Sequence, residues 1–392
     1  MRVLIACSSR IDVGSGILAY AKNMTEYYLQ NGHDVGFVYL NSQNTEWCDN
    51  KKNFRSYAID LKSETKMETD KLLQFIEEYD PDVVINNDNA YLQSIAPVIP
   101  CPFVFVLHLG NYSILSLAKI NEKYVDQYIA TTSDMKFDLV RVGIPSSKIS
   151  VVLNGLNNES KFNTEIKEND NKINILFAGE MTKRKGFDKF IKLIESKSFE
   201  NCIFHWTGGE KALKLKAKLN QHNEVIIYKR LPKDDFYKLF SECDIFLMPS
   251  RDEGLPIALL ESFFFGLVPI VSNGKGAMKE VVSHGTTGYV CEINNWESEA
   301  SEILSKLTHD DIYKKKNAVV RSFNSNLANG FYARDILRIA STLNKEKGIL
   351  KNIPDYYNWH RPNVHNINIF LGIWYRLKVR LGIITKSRKG VK

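Results

Sequence analysis

Between Asp244 and Gly266 the chain reads D-I-F-L-M-P-S-R-D-E-G-L-P-I-A-L-L-E-S-F-F-F-G, and this passage limits the fold more than any other. The apolar run Asp244–Met248, bounded by turn-forming residues, predicts a short strand buried on both faces. After Pro256, placed where a first-turn proline belongs, the apolar positions follow the helical period. A buried strand feeding a helix is the repeating unit of an open parallel sheet, and the loop joining them lies at the carboxyl ends of the strands, where ligands bind. The free N–H groups of the helix start also favour an anion there. Glu253 falls in that loop and Glu261 in the helix. Glu253 can offer acceptors to sugar hydroxyls, and Glu261 can grip a second diol about two turns away. On spacing alone, a solvated loop glutamate and a capping or salt-bridged helix glutamate, the usual fate of such residues, are the favoured reading.

The E-x7-E arrangement in E-G-L-P-I-A-L-L-E, with Gly266-Leu267-Val268-Pro269-Ile270-Val271 after it, resembles the signature of the retaining GT-B glycosyltransferases of family 4. Gly276–Val282 and Gly285–Val290 continue the likeness. The resemblance implies an α/β chain of GT-B architecture, two Rossmann-like domains facing across a cleft. It also implies that Glu253 contacts donor-sugar hydroxyls and Glu261 the ribose, with Gly254 and Leu255 beside the donor.

Length agrees with two domains: 392 residues allow two ordinary cores. The apolar fraction of 44% and charged fraction of 25% are those of a globular chain. Six cysteines without any C-x-x-C pair point to a reducing compartment rather than to disulfides or zinc. With no visible signal peptide and no apolar stretch of membrane-spanning length, a cytoplasmic protein is expected. Charge is uneven. From His360 to Lys392 there are eight Lys or Arg and no acid, so the net +7 leaves about −1 for the rest. A nucleic-acid binder would spread its charge differently, and no nucleic-acid partner is expected.

In the first half, Arg2–Cys7 predicts a strand, followed by Val13-Gly14-Ser15-Gly16 and a helix with Ile17, Tyr20, Ala21, Met24 and Tyr28 on one face, closed by Asn31-Gly32. A second strand follows at Val35–Leu40. Gly14–Ala19 fits a dinucleotide fingerprint, and Asp34 lies twenty residues after Gly14. The ribose-binding acid of such a site ends the second strand, however, whereas Asp34 precedes it, which argues against a nicotinamide dehydrogenase. Gly14 and Gly16 let backbone N–H groups approach a phosphate, and the resemblance places this loop opposite the donor diphosphate. A tight strand-to-helix turn is the plainer alternative. Residues 41–69 read as polar and irregular. A helix through Leu72–Tyr79 and strands at Val83–Ile85 and Phe103–Leu107 come next. His108, at a strand's carboxyl end, points to a ligand, and the resemblance puts a histidine so placed beside the donor sugar; a histidine bonded to nearby backbone is the alternative. Tyr128–Ser133 and Ile149–Gly155 complete a first domain over 1–155. The Asn-rich run 156–172 reads as a linker.

A second domain over 173–328 opens with the strand Ile173–Gly179. Lys183-Arg184-Lys185 then precede a helix carrying Phe187, Phe190, Ile191 and Ile194. Three cations at a strand end suit a diphosphate, whose departure builds charge that fixed cations stabilise; an exposed basic turn is the alternative. The resemblance includes a Lys-Gly at the helix start, matched by Lys185-Gly186, and assigns Arg184 and Lys185 to the phosphates. It departs at Glu180, where an arginine is usual. Arg230 and Leu231 fall where such enzymes meet the nucleotide base. No D-x-D or His/Asp cluster suggests a metal, and the resemblance implies no cofactor beyond the nucleoside diphosphate sugar. A helix over 329–350 is expected to cross back to the first domain. Within 351–392, Ile369-Phe370-Leu371 and Ile373-Trp374-Tyr375 sit among cations, as in a segment lying on an anionic leaflet; a packed tail with solvated cations is the alternative.

The sequence therefore leads to a retaining, metal-independent glycosyltransferase, UDP-sugar favoured, acting on a glycan or lipid-linked acceptor of the cell envelope or capsule. A catalytically silent nucleotide-sugar-binding subunit and a GT-B nucleotide-sugar epimerase are the alternatives.

Overall fold

The computed structural model describes residues 1–10, 15–41, 52–61, 63, 65–156, 172–207, 213–229, 231–328 and 330–343. Gly14, Arg230, nearly all of the expected linker and the whole basic tail lie outside the described residues. The chain divides into two compact units. One holds residues 1–130, 136–150 and the described residues from Ile336 on; the other holds 131–135 and 151–335.

The first unit is built on strands β1 (Arg2–Arg10), β2 (Asp34–Asn41), β3 (Phe54–Asp60), β4 (Val83–Asn87), β5 (Phe103–Leu107), β6 (Gln127–Ala130) and β7 (Ile149–Val151), in spatial order β3-β2-β1-β4-β5-β6-β7. The chain leaves β1 in one direction through β2 and β3, then returns to its other side with β4, so the order reverses between β1 and β4. Helix α1 (Gly16–Gln30) makes the first crossover. Ser15 caps it by accepting a hydrogen bond from the Leu18 N–H at 3.1 Å, and Leu18, Tyr20, Ala21, Met24 and Tyr28 are buried. Further helices are α2 (Thr65–Tyr79), α3 (Ala90–Ile95), α4 (Tyr112–Lys119) and α5 (Ser133–Arg141).

Strand β3 corrects the expectation that 41–69 is irregular. Phe54–Asp60 pairs in parallel with β2 from Val35↔Phe54 to Asn41↔Asp60. It is an edge strand and mostly half-buried, so Phe-Arg-Ser-Tyr-Ala-Ile-Asp carries neither the continuous apolar run of a central strand nor a clean alternation.

The second unit repeats the plan with β8 (Ile173–Phe177), α6 (Phe187–Ser196), β9 (Cys202–Trp206), α7 (Lys216–Leu219), β10 (Glu224–Ile227), α8 (Lys233–Glu242), β11 (Ile245–Met248), α9 (Ile257–Phe264), β12 (Val268–Ser272), α10 (Met278–Val281), β13 (Tyr289–Cys291), α11 (Trp296–Lys306) and α12 (His309–Asn326). Helix α13 (Phe331–Ser341) follows, reaching from the second unit into the first. The sheet order is β10-β9-β8-β11-β12-β13, reversing between β8 and β11. Strand alternation sends Ile245 and Leu247 into a core with Phe177, Phe190, Phe204, Trp206 and Trp296. Phe246 and Met248 enter a second core with Phe240, Leu259, Phe263 and Phe323. Two cores on two faces make this sheet doubly wound, and they explain why β11 is apolar at every position.

A buried ion pair fixes β11 beside β8. Asp244 sits 2.7 Å from the Lys316 ammonium of α12 and accepts from the Asn174 N–H at 2.8 Å. Removing one partner strands the other charge, whereas replacing both with apolar groups restores a neutral core. Asp244→Ala is expected to cost about 3 kcal/mol of unfolding free energy, and Asp244→Ala combined with Lys316→Met to recover most of it; urea denaturation of the three proteins checks this.

Candidate active site

At the reversal between β8 and β11, two loops meet, residues 178–186 after β8 and 249–256 after β11. Glu253, in the second, is buried, and its Oε1 lies 2.8 Å from Lys185 Nζ and 2.9 Å from Arg184 Nη1. Three residues expected at the site are thus brought together, two cations sharing one carboxylate oxygen. Arg184 also donates to the Asp252 carbonyl at 3.0 Å, and the Arg251 N–H donates to the Arg184 carbonyl at 2.8 Å.

Two glycines permit close backbone approaches here, Gly186 between the two loops and Gly276, after β12, against the second loop. A Cβ on Gly186 (φ +72°) would overlap the Pro249 carbonyl oxygen, and one on Gly276 (φ +118°) the Glu253 carbonyl oxygen. Neither backbone conformation suits an L side chain. Ser272 adds a hydrogen bond from its hydroxyl to the Ser250 carbonyl, and Glu253 donates its N–H to the Lys275 carbonyl at 3.0 Å.

A second clamp was not foreseen from the sequence. Arg251 grips Asp188 with two donors, both at 2.7 Å, and donates to the Lys183 carbonyl at 2.5 Å. Its guanidinium holds the Asp188 carboxyl below the usual carboxylate range against the opposing effect of burial. Asp188, in the first turn of α6, would otherwise compete as an anion beside the cations. Residues 63 apart in the chain give no local signal of such a pair.

Glu261 is not part of this cluster. It is partly buried on α9 and accepts a 3.1 Å hydrogen bond from the Tyr237 hydroxyl of α8. Burial pushes its carboxyl up to about 7, with the Tyr237 hydrogen bond and the Lys233 charge opposing. Leu231 is partly buried on the second core. Leu255 is a core residue whose carbonyl accepts from the Asn154 amide at 3.0 Å. Gly254 is buried, its carbonyl accepting from the Ala277 N–H. Glu180 is exposed.

In the first unit, Gly16 opens α1 with open space where a side chain would be, so no described residue requires glycine there. His108 follows β5 and is buried. Its Nε2 lies 3.0 Å from Asn87 Oδ1, and the Asn87 amide is oriented by donating its Nδ2 to the Ala6 carbonyl at 3.0 Å. Nε2 therefore carries the proton and Nδ1 is left as an acceptor. Burial pushes the imidazole down to about 3, so it is neutral at physiological pH. Its partner is a side chain, not the backbone considered from sequence. Among the described residues no group of His, Cys, Asp or Glu is gathered to hold a metal ion.

Two six- and seven-stranded parallel α/β units with these loops define the GT-B fold, and solved structures agree. Anabaena HepE, in complex with UDP-glucose, superposes with a TM-score of 0.65 over 88% of this chain and all of that one, at 14% identity. The family models Glycosyltransferase Family 4 and Glycosyl transferases group 1 match residues 14–160 and 158–321. The chain belongs to glycosyltransferase family 4. Its curated relatives include an uncharacterized 41.2 kDa protein in the cps region of Klebsiella pneumoniae, 29% identical over 58% of this chain and 65% of that protein. Another is the N,N'-diacetylbacillosaminyl-diphospho-undecaprenol alpha-1,3-N-acetylgalactosaminyltransferase of Campylobacter jejuni, 26% identical over 53% of this chain and 57% of that one. The matches span less than two thirds of either relative's length.

Gly186→Ala is expected to destabilise the protein by about 2–4 kcal/mol, read as a lowered denaturation midpoint, because both strain and overlap with Pro249 act at once. Glu261 yields a pH prediction. Its folded-state pKa lies above the ordinary 4.5, so its contribution to stability is complete below pH 4.5 and is lost as pH rises through about 7. Between pH 5 and 8, the ligand-free wild type should lose more stability than Glu261→Gln, by at most about 3 kcal/mol; denaturation midpoints across that range measure the difference.

Proposed function

We propose that this chain transfers a sugar from a nucleoside diphosphate, UDP favoured, to an acceptor hydroxyl with retention at the anomeric carbon. The observation that carries the proposal is the meeting of Arg184, Lys185 and Glu253 at the β8/β11 reversal. A departing diphosphate gathers negative charge on its β-phosphate, and Lys185 and Arg184 are fixed cations suited to stabilise it. Glu253 would turn to sugar hydroxyls as the phosphate takes over its cations. Glu261, its proton lost, would accept hydrogen bonds from the ribose. Leu231, Gly254 and Leu255 would lie along the nucleotide. Neutral His108, with Nδ1 an acceptor, would receive a sugar hydroxyl. Catalysis would rest on positioning and charge stabilisation, without metal or bound cofactor.

HepE, solved with UDP-glucose, supports a uridine nucleotide. The Campylobacter relative, named for a diphospho-undecaprenol substrate, and the Klebsiella relative in a cps region support a lipid-linked or capsular acceptor. Such an acceptor would bring the enzyme to the inner face of the membrane as a peripheral protein. No helix among the described residues is long and apolar enough to cross a membrane.

The test is a binding and turnover screen of the full chain against UDP-, GDP- and ADP-sugars. Lys185→Ala should lower kcat/KM at least about 100-fold (about 2.7 kcal/mol). Glu253→Gln should tighten UDP severalfold, because it removes the carboxylate that competes for both cations, while transfer falls. Failure of every nucleotide sugar to bind would overturn the proposal. Binding without turnover would favour the silent subunit, for which Glu180 in place of the usual arginine speaks. A changed sugar still attached to its nucleotide would indicate the epimerase.

A further inference from the structure

The end of β4 and the turn after it read Asn86-Asn87-Asp88-Asn89, and these four side chains are treated very differently. Asn86 donates to the Asn89 carbonyl and to Gln93 Oε1, both at 3.1 Å, and accepts from the Asn89 N–H at 2.9 Å. Asn87 bridges the Ala6 carbonyl and His108. Asn89 caps α3 through the Leu92 N–H at 3.1 Å and donates to the Cys7 carbonyl at 3.0 Å. Each amide here is tied down, Asn86 within the turn and to α3, Asn87 and Asn89 to the end of β1. The Asp88 carboxyl is not. It is buried at 3% exposure, and neither carboxyl oxygen makes a well-formed hydrogen bond among the described residues, the His108 backbone N–H alone lending its charge some support.

Its backbone is also in the left-handed region, φ +55°, which an aspartate tolerates but does not prefer. A buried, poorly satisfied carboxyl and a left-handed non-glycine backbone both cost stability. Asparagine or glycine at this position would serve the turn better. Such costs persist where a residue serves something other than the fold.

Its place says what that is. Asn87 is the last β4 residue in register with β1, opposite Cys7, so Asp88 stands at the carboxyl end of the strands where the first sheet reverses its order. That is the position at which open α/β sheets bind ligands. His108, the neutral imidazole already placed in the proposed site, lies at the end of the next strand and shares the Asn87 amide. Burial also keeps the Asp88 carboxyl well above its ordinary pKa, opposed by the nearby His108 backbone N–H. A neutral carboxyl offers one donor and one acceptor, the same pair that a sugar hydroxyl offers in return.

We propose that Asp88 is a binding residue that hydrogen-bonds a hydroxyl of one of the sugars, acceptor or donor, at the β1/β4 reversal. The inference rests on the glycosyltransferase reading. On binding, an enclosed and poorly satisfied carboxyl becomes a paired one.

The test compares full-length wild type with Asp88→Asn, which keeps the shape and suits a left-handed backbone, and Asp88→Gly, which removes the carboxyl. Three properties are measured: the thermal midpoint, affinity for UDP against UDP-glucose, UDP-galactose and their N-acetylamino counterparts, and transfer to octyl glycosides alongside acceptor-free donor hydrolysis. Both variants should melt at or above the wild-type midpoint and bind UDP within twofold of it. Asp88→Gly should lose at least tenfold in transfer, and Asp88→Asn less. Parallel losses in UDP-sugar affinity and hydrolysis assign the contact to the donor; loss confined to transfer, through a raised acceptor KM, assigns it to the acceptor. Midpoints lowered by several degrees in both variants, or transfer unchanged in Asp88→Gly, would overturn the proposal. A wild type that binds no nucleotide sugar overturns the glycosyltransferase reading instead. The midpoints would then still separate a carboxyl kept for a ligand from one kept for the fold.

Discussion

One carboxylate oxygen, Oε1 of Glu253, holds both Arg184 and Lys185. In water each such pair would contribute little, because solvent screens the charges and the long side chains lose entropy. Here the carboxylate is buried, so the cations are its main compensation and their positions follow from it. The loops that carry the three residues meet through a backbone contact that only glycine permits at 186, and Gly276 lets the segment after β12 pack on the Glu253 carbonyl. Charge and backbone packing therefore enforce each other. The clamp of Arg251 on Asp188 completes the arrangement by neutralising an acid one helical turn from Lys185. What results is a cluster of three cations and two carboxylates, one positive charge in excess, a balance suited to a dianionic ligand.

Each sheet carries a buried carboxyl at the point where its strand order reverses, Glu253 between β8 and β11 and Asp88 between β1 and β4. The two are stabilised by opposite means. Glu253 has two cations and is compensated as an anion. Asp88 has no cation and no well-formed hydrogen bond among the described residues, and burial, opposed only by the His108 backbone N–H, drives it toward the neutral form. The same topology thus supplies two chemically different groups, one suited to exchange partners with a phosphate and one to meet an uncharged hydroxyl.

Much of this was legible in the sequence. Central strands such as β11 declare themselves because burial on both faces requires unbroken apolar runs, and the loop after β11 is marked by E-x7-E with Pro256 and Gly254 at fixed offsets. Arg184 and Lys185 were legible for the same reason, lying between a buried strand and an amphipathic helix. What stayed hidden depends on tertiary neighbours. Half-buried β3 lacks the pattern of either strand class. The Arg251–Asp188 clamp and the Tyr237–Glu261 hydrogen bond join residues far apart in sequence. Asp88 sits in a run of amides with no pattern of its own in the sequence, and only the bonds its neighbours make reveal how poorly its carboxyl is satisfied.

The E-x7-E pair itself shows where sequence spacing stops being informative. In the sequence, Glu253 and Glu261 are told apart by one lying in the loop and the other in the helix, not by their surroundings. In the structure, Glu253 is bound to two cations, whereas Glu261 meets a single phenolic donor and is pushed up to about 7. The first is thus contacted by opposite charges, and the second titrates near neutrality because burial outweighs its one hydrogen bond. A ribose diol would supply Glu261 with the hydrogen-bond donors it lacks and favour its ionised form, so that binding a nucleotide would release a proton there. At Glu253 the same event would exchange one set of charge contacts for another. The two glutamates share a motif but not a role, and the difference is set by the side chains that α6, α8 and the loop after β8 bring against them.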